Sequence, residues 1–188
     1  RQRQMCIRDR LSTKPAALIL QEHQMLPLHI NIKGKAAVIA GGGKIAARRL
    51  KTVLAEGAAA TVISPEASEE MLGLIEEHGI EWKKKKAEPG DFKDAFLVIL
   101  ATDDHEANKR IAASAAPDQL VNVASEAELG NVYVPKIINR GNITISVSTN
   151  GASPRHTIKL AGQIDGLIDD ELVQEIDELL RKRRGLNP

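Results

Sequence analysis

Residues 35–46 read KAAVIAGGGKIA, an apolar run that ends in three consecutive glycines. The apolar run is typical of a buried strand, and the spacing of apolar residues over 44–56 predicts a helix. Between the two, Gly41, Gly43 and Ala46 match the pattern G-x-G-x-x-A. In that pattern the first glycine permits a tight turn, the second lets the backbone approach a pyrophosphate, and the alanine lets the helix pack closely on the strand.

The start of the predicted helix is also suited to an anion, because its free amides and its dipole favour negative charge there. A glycine pattern that follows a strand and opens a helix predicts a dinucleotide site, although glycines also serve as purely structural turns. The residues that we expect to contact the cofactor at this turn are Gly41, Gly42, Gly43, Lys44, Ile45 and Ala46.

Apolar runs typical of strands alternate with helical patterns through the first two thirds of the chain. The predicted strands are 35–40, 61–63, 80–83, 96–101 and 120–123. The predicted helices are 44–56, 66–78 and 104–116. Such alternation favours parallel pairing with right-handed crossovers. We therefore predict an α/β fold, a Rossmann-type doubly wound parallel sheet with helices on both faces.

The pattern changes after Val123. Residues 132–135 and 143–147 are predicted as strands with no helix between them, and residues 155–183 as largely helical, weakened by Gly162 and Gly166. We expect a nucleotide-binding domain at 25–124, a short β segment at 125–150 and a C-terminal helical domain at 151–188.

The first 24 residues differ in composition from the rest. They contain five basic and two acidic residues, while the whole chain carries a net charge of +1, so residues 25–188 are net acidic. The basic pI therefore does not support a nucleic-acid partner. We expect residues 1–24 to be a non-native or disordered extension, with the natural start at Met25.

Composition also excludes several classes of protein. The single cysteine, Cys6, excludes intrachain disulfides and cysteine-ligated zinc or iron–sulfur clusters. The five histidines show no metal spacing, and we predict no metal site. Aromatic residues make up 2% of the chain and leave little for base stacking, which weakens the hypothesis of a single-stranded nucleic-acid partner. No apolar run reaches the roughly 18 residues of a membrane span, so we expect no membrane partner.

The end of the second predicted strand lacks the usual acid for a cofactor ribose. An Asp or Glu is expected about 20 residues after the glycines, but the chain offers Ser64-Pro65, followed by Glu66. Ser64 is a candidate hydrogen-bond partner of the ribose, with Pro65 beside it and Glu66 within reach. No arginine follows to bind a 2′-phosphate, which favours NAD over NADP. The alternative is a helix N-cap with proline in the first helical position.

The end of the fourth predicted strand carries three more polar residues, Thr102, Asp103 and Asp104. Ligands of open parallel sheets bind at the carboxyl ends of strands, near the point where the strand order reverses. We expect Thr102 and Asp103 to contact the cofactor and Asp104 to face the reaction. The alternative for this motif is an aspartate that caps the following helix.

Five stretches together resemble the precorrin-2 dehydrogenase family, the N-terminal module of sirohaem synthases, over roughly residues 25–170. Gly-Ala-Ser-Pro at 151–154 is the most discriminating, because generic dinucleotide-binding domains lack it. The stretches are LPL at 26–28, GGG at 41–43, ATDD at 101–104, LVNV at 120–123 and SVSTNGASP at 146–154.

The resemblance implies NAD-dependent oxidation of precorrin-2 to sirohydrochlorin in the cytoplasm. It also implies a homodimer in which residues 125–150 interlock two chains, and a helical tail that helps to enclose the tetrapyrrole. Some family members also insert ferrous iron or cobalt, so a bifunctional dehydrogenase and ferrochelatase is one alternative. A regulatory module that senses NAD is an alternative from another class.

This sequence departs from the family where fused members carry a catalytic aspartate. Ser125 occupies that position and Glu126 follows it. Serine is a poor general base at neutral pH. We therefore expect Asn122 and Ser125 to orient the substrate, with Asp104 or Glu126 as the base.

The substrate that the resemblance implies carries many carboxylates, so basic groups and helix amides are expected around its pocket. Candidates cluster near the Gly-Ala-Ser-Pro motif and the strand before it. The alternative for each basic residue is an ordinary solvated surface charge. The predicted substrate-binding residues are Arg140, Ser153, Arg155, His156 and Lys159.

Overall fold

The computed structural model describes residues 25–185. Residues 25–31 contain no helix or strand and belong to a separate unit from the rest. The fold described below is that of residues 32–185. The predicted extension at 1–24 lies outside the described residues.

Five parallel strands form the central sheet, which confirms the predicted doubly wound fold. The strands are β1 (Ala36–Ala40), β2 (Ala59–Ile63), β3 (Glu81–Lys83), β4 (Leu97–Leu100) and β5 (Leu120–Val123), in the spatial order β3-β2-β1-β4-β5. The helices between them are α1 (Lys44–Ala55), α2 (Glu69–His78) and α3 (His105–Ala113). The strand order reverses between β1 and β4, so this junction is where a ligand is expected at the carboxyl edge.

Each face of the sheet carries its own apolar core. Leu50 of α1 and Met71 of α2 pack with Ile39 and Ile99 on one face. Ile111 of α3 packs with the apolar residues of the other face. Because both faces are covered, the central strands consist almost entirely of apolar residues. The polar chemistry is therefore left to the loops at the strand ends.

The predicted strand at 132–135 is wrong, because this segment is fixed to the edge of β5 without forming a ladder. The backbone N–H groups of Asn131 and Val132 both donate to the carbonyl of Val121, at 2.9 and 3.0 Å. The Val121 N–H donates to the Asn131 side chain at 2.7 Å. Pro135 has no N–H to contribute to a ladder. Pairing begins only afterwards, between β6 (Lys136–Arg140) and β7 (Ile143–Val147), which are antiparallel.

The C-terminal region forms two helices rather than one continuous helical segment. They are α4 (Pro154–Asp165) and α5 (Asp170–Arg183). The chain leaves α4 at Gly166, and Asp169 begins α5 by accepting a hydrogen bond from the Leu172 N–H at 2.8 Å. Gly162, in contrast, lies within α4 without interrupting it. Among residues 25–185, no helix has the length and apolar character needed to cross a membrane.

Candidate cofactor and substrate site

The glycine turn is wedged between the end of β4 and the loop after β2. Gly41 has a φ of +120°, and a Cβ there would overlap the carbonyl of Ala101. A Cβ at Gly42 would overlap the carbonyl of Glu66. The Ser68 N–H donates to the Gly42 carbonyl at 2.8 Å. Gly41 and Gly42 are therefore required by the packing of the protein itself.

Gly43 differs from its two neighbours because its surroundings are open. A Cβ at Gly43 would meet no protein atom within 4 Å. Gly43 is also the N-cap of α1, and it offers no side-chain cap to a helix whose first turn contains no acid. Every other α-helix of residues 25–185 has a side-chain cap. Those caps are Ser68, Asp104, Ser153 and Asp169.

Open space beside uncapped helix amides fits the pyrophosphate of a dinucleotide. The exposed side chain of Lys44 adds positive charge in the first turn of α1. Ile45 is exposed too, whereas Ala46 is fully buried against the sheet. The predicted cofactor residues at this turn therefore form two groups. The exposed group is Gly43, Lys44 and Ile45, and the group packed against the rest of the protein is Gly41, Gly42 and Ala46.

The structure turns Ser64 away from the predicted ribose position. Ser64 is only 3% exposed, and the Trp82 indole N–H donates to its carbonyl and hydroxyl at 3.1 and 3.2 Å. The alternative cap at Ser64-Pro65 is also wrong, because α2 begins five residues after Ser64 with Ser68 as its N-cap. Pro65 and Glu66 are exposed beside the glycine turn. Glu66 is therefore the exposed acidic residue in the loop after β2, where the ribose is expected.

The polar residues after β4 divide between structural support and exposure. Thr102 donates to the buried side chain of Asn108 at 2.7 Å, and Asn108 donates back to the Thr102 carbonyl at 3.0 Å. Asp104 caps α3 by accepting from the Ala107 N–H at 2.9 Å. Asp103 is exposed. Asn108 was missed because a helical asparagine gives no sequence signal of its burial.

Three of the predicted catalytic residues lie on or just after β5. Asn122 is 3% exposed and donates to the Val132 carbonyl at 2.8 Å. Ser125 is exposed. Glu126 pairs with His105, whose Nδ1 lies 2.8 Å from a carboxylate oxygen. His105 was not predicted as a site residue. It meets Glu126 because the loops after the adjacent parallel strands β4 and β5 lie at the same edge of the sheet.

The start of α4 gathers four of the five predicted substrate-binding residues. The Ser153 hydroxyl accepts from the His156 N–H and lies 2.7 Å from the His156 ring Nδ1. Arg155 and Lys159 are exposed in the first two turns of the same helix. In residues 25–185 no cluster of three or more His, Cys, Asp or Glu is placed to hold a metal.

Arg140 is not part of this group. It makes a two-point ion pair with Asp165, at 2.8 Å from Nε and 3.3 Å from Nη2. Asp165 ends α4, about 16 Å of helix away from its start. The prediction placed Arg140 with Arg155 because they are close in sequence, but the antiparallel hairpin carries Arg140 to the opposite end of α4.

This ion pair predicts a small dependence of stability on acid pH. The hydrogen bond from Arg140, together with its charge, lowers the pKa of Asp165 below its usual value near 4. A carboxylate with a lowered folded-state pKa stabilises the protein above its unfolded pKa, and this contribution is lost as pH falls through the folded pKa. Asp165→Asn should therefore reduce the loss of stability between about pH 5 and 2.

Urea unfolding at several pH values measures this effect. Glu178→Gln, at an exposed position on α5, serves as the control and should keep the acid dependence of the wild type. An Asp165→Asn protein with an unchanged pH profile would contradict the assignment. The effect is expected to be small because both side chains are about two-fifths exposed.

Comparison with known proteins agrees with this geometry. Residues 28–136 match a family described as putative NAD(P)-binding. The precorrin-2 dehydrogenase of Bacillus subtilis (strain 168) is 54% identical over 160 residues, covering 85% of this chain and 99% of that protein. The precorrin-2 dehydrogenase of Priestia megaterium is 35% identical over 150 residues, covering 80% and 74%.

A solved structure and a longer relative extend the comparison. The structure described as SirC, precorrin-2 dehydrogenase, aligns with a TM-score of 0.70 at 35% identity, covering 80% of this chain and 74% of its own. The siroheme synthase of Xylella fastidiosa (strain M12) is 34% identical over 148 residues, but the match covers only 31% of that protein. This chain therefore belongs to the precorrin-2 dehydrogenase family.

Proposed function

We propose that this protein oxidises precorrin-2 to sirohydrochlorin, with NAD as the hydride acceptor. The observation that carries the proposal is the uncapped start of α1 beside the open space at Gly43, in a chain 54% identical to a precorrin-2 dehydrogenase. NAD supplies the hydride chemistry when it is bound. The chain's own residues bind and orient both molecules and accept the released proton.

The cofactor is held mainly by backbone groups. The amides at Gly43 and in the first turn of α1 bind the pyrophosphate, and Lys44 adds a positive charge. Thr102 and Asp103 border the same edge at the end of β4. Glu66, exposed in the loop after β2, is the acid available to a ribose hydroxyl. The hydrogen bonds between Thr102 and Asn108 keep the β4–α3 turn in one conformation.

The carboxylates of the tetrapyrrole are bound at the start of α4. Ser153, Arg155, His156 and Lys159 present hydroxyl, basic and helix-amide donors on one helical end. The first turn of α4 contains no acid that would compete with the substrate. Arginine can hold a carboxylate through two parallel hydrogen bonds, which gives orientation as well as affinity.

Removing these charges should weaken substrate binding without affecting the cofactor. Arg155→Ala and Lys159→Ala are each expected to raise the KM for precorrin-2 at least about tenfold, since each removes a charge-assisted contact with a substrate carboxylate. The KM for NAD should stay unchanged. Steady-state kinetics under anaerobic conditions measures both constants. Lys182→Ala, an exposed base near the end of α5, is the matched control, and an equal change in that variant would contradict the assignment.

Glu126 is the proposed proton acceptor, oriented by His105. The 2.8 Å pair places a carboxylate and an imidazole together at the carboxyl edge, next to Ser125. Asp104 is less suited, because its carboxylate already accepts the N-cap hydrogen bond of α3. Ser125, which is exposed beside this pair, orients the substrate, whereas the Asn122 NH2 already donates to the Val132 carbonyl. The oxidation removes a hydride and a proton, so a base near the acceptor completes the chemistry.

We also propose that the protein acts as a homodimer in the cytoplasm, without a membrane or nucleic-acid partner. The β6–β7 hairpin supports the dimer, because it stands outside the main sheet as a separate two-stranded sheet. Isolated two-stranded sheets need packing partners to be stable. Here α4 covers one side, where Ala161 packs with Ile138 and Val147 of the hairpin. Sedimentation at working concentration tests the dimer.

Anaerobic absorbance of the purified protein with enzymatically made precorrin-2 tests the function. The sirohydrochlorin spectrum should appear only when NAD is present, with one NADH formed per product. No spectral change, in a sample that demonstrably binds NAD, would overturn the proposal and favour a module that only senses NAD. Ferrous iron added to the finished reaction then shows whether the protein also inserts the metal.

A further inference from the structure

Two buried side-chain nitrogen and oxygen atoms of residues 25–185 have no hydrogen-bond partner. They are Nε of Arg49, in α1, and Oδ1 of Asn122, in β5. Leaving a buried donor or acceptor unpaired costs about 1–3 kcal/mol, so such atoms call for an explanation. Arg49 Nε is a hydrogen-bond donor and Asn122 Oδ1 is an acceptor. No hydrogen bond within the described residues uses either atom.

Both atoms lie on the side of the sheet that α1 covers. Side chains alternate along a strand, and Leu120 of β5 packs in the core beneath α1, so Asn122 points to that face as well. Asn122 lies in register with Ile99 of β4, which is in the same core. Arg49 follows Ala46 by one helical turn, and Ala46 is part of that core too. The two orphan atoms therefore share the layer between α1 and the sheet.

Arg49 lies on the flank of α1 that faces β4 and β5. The opposite flank of α1 faces α2, as the ion pair between Lys51 Nζ and Glu70 Oε1 of α2 at 2.7 Å shows. Two residues along a helix correspond to about 200° of rotation, so Arg49 points away from α2. Helical side chains also lean toward the N-terminus of their helix. For α1 that is the carboxyl edge of the sheet, where the cofactor is expected.

The strand order decides which half of a dinucleotide reaches this flank. The pyrophosphate lies over the reversal between β1 and β4, at the start of α1. The ribose for which Glu66 is available lies on the β2 side of this reversal. The nicotinamide half therefore extends over β4 and β5, the side that carries Arg49 and Asn122.

We propose that Arg49 Nε and Asn122 Oδ1 bind the carboxamide of the nicotinamide ring. A primary amide offers one acceptor oxygen and one NH2 donor, which matches one free donor and one free acceptor. The orientation of Asn122 is fixed, because its NH2 donates to the Val132 carbonyl and a reversed amide would place two oxygens together. This inference rests on the proposed function and names the residues that orient the reacting ring.

The positive charge of Arg49 is consistent with this assignment. No ion pair within residues 25–185 involves Arg49, and burial, followed by the nearby charge of Arg48, lowers the pKa of its guanidinium. A donor that is already desolvated loses little further hydration when it binds a neutral amide. The two residues would then fix which face of the ring meets the substrate.

Binding measurements test the inference independently of turnover. ADP-ribose shares every part of NAD except the nicotinamide, so its affinity reports the rest of the site. We expect Arg49→Lys, which keeps the charge but removes Nε, to weaken NAD about tenfold in calorimetric titrations and to leave ADP-ribose unchanged. Arg48→Lys, the exposed neighbour, should change neither. Equal effects on both ligands, or none on either, would overturn the inference.

The unmodified protein provides a second test. 3-Acetylpyridine adenine dinucleotide carries a methyl ketone in place of the carboxamide, so it keeps the acceptor oxygen for Arg49 but has no NH2 to donate to Asn122. We expect it to bind about tenfold more weakly than NAD. Equal affinity would contradict the assignment. Tight NAD binding without oxidation of precorrin-2 would count against the proposed function only, so the two failures are distinguishable.

Discussion

Replacing Gly42 with alanine is expected to lower the free energy of unfolding by about 2–3 kcal/mol, because the new methyl group has no room. It would overlap the Glu66 carbonyl oxygen and lie 2.9 Å from the Ala67 Cα. Both are backbone atoms, so no side-chain rotation can relieve the overlap. The loop after β2 would have to lift off the glycine turn, and the Ser68 hydrogen bond to Gly42 would break.

Urea unfolding followed by circular dichroism measures this loss. Gly73→Ala is the matched control, because Gly73 lies inside α2 and a Cβ there meets nothing within 4 Å. That change should stabilise the protein by up to about 1 kcal/mol, as alanine favours helix over glycine. If the Gly42→Ala protein unfolds at the same urea concentration as the wild type, the loop does not rest on the turn as described.

The adjacent replacement, Gly43→Ala, should leave the fold intact and weaken cofactor binding. Its φ of −84° suits any residue, and its Cβ would meet no protein atom. Stability should therefore change by less than about 0.5 kcal/mol. The methyl group would instead occupy the space through which a pyrophosphate reaches the amides of α1. Losing one or two hydrogen bonds to a charged group weakens binding by about 10- to 100-fold.

Calorimetric titration with NAD and with ADP-ribose measures the effect. Both ligands contain the pyrophosphate, so both should weaken in the Gly43→Ala protein. This separates the turn from Arg49, whose replacement should affect only NAD. Unchanged affinity for both ligands would mean that the dinucleotide does not approach Gly43.

The sheet was predictable because local signals and tertiary structure agree there. Apolar runs at β1 and β4 are long enough to require cover on both faces, and the glycine turn has few conformations available. The run at 132–135 has the same apolar character but was mispredicted. Its backbone is held by Val121, ten residues earlier, and no local pattern reports such hydrogen bonds.

The edge at which the candidate site lies was predictable, because its residues follow parallel strands. Thr102 after β4 and Ser125 after β5 reach the same edge because every strand of the sheet ends there. Ser64 follows β2 in the same way, yet Trp82 draws it into the interior. Arg140 lies apart from the other candidates for a different reason: the antiparallel hairpin carries it to the far end of α4, where it pairs with Asp165. The sequence indicated Asn122 as a site residue, but no local pattern reports that its Oδ1, or the Nε of Arg49, is left without a hydrogen-bond partner.

The segment at residues 131–132, which is hydrogen-bonded along the outer edge of β5, also has a consequence for aggregation. The N–H and C=O of Val121 are both taken by residues 131 and 132, so the middle of this edge is occupied and a continuous ladder with another chain is interrupted. At the other edge, β3 is only three residues long and runs into four consecutive lysines, Lys83 to Lys86. Short, positively charged edges resist strand addition. Both edges therefore oppose the edge-to-edge stacking that leads to amyloid-like assembly.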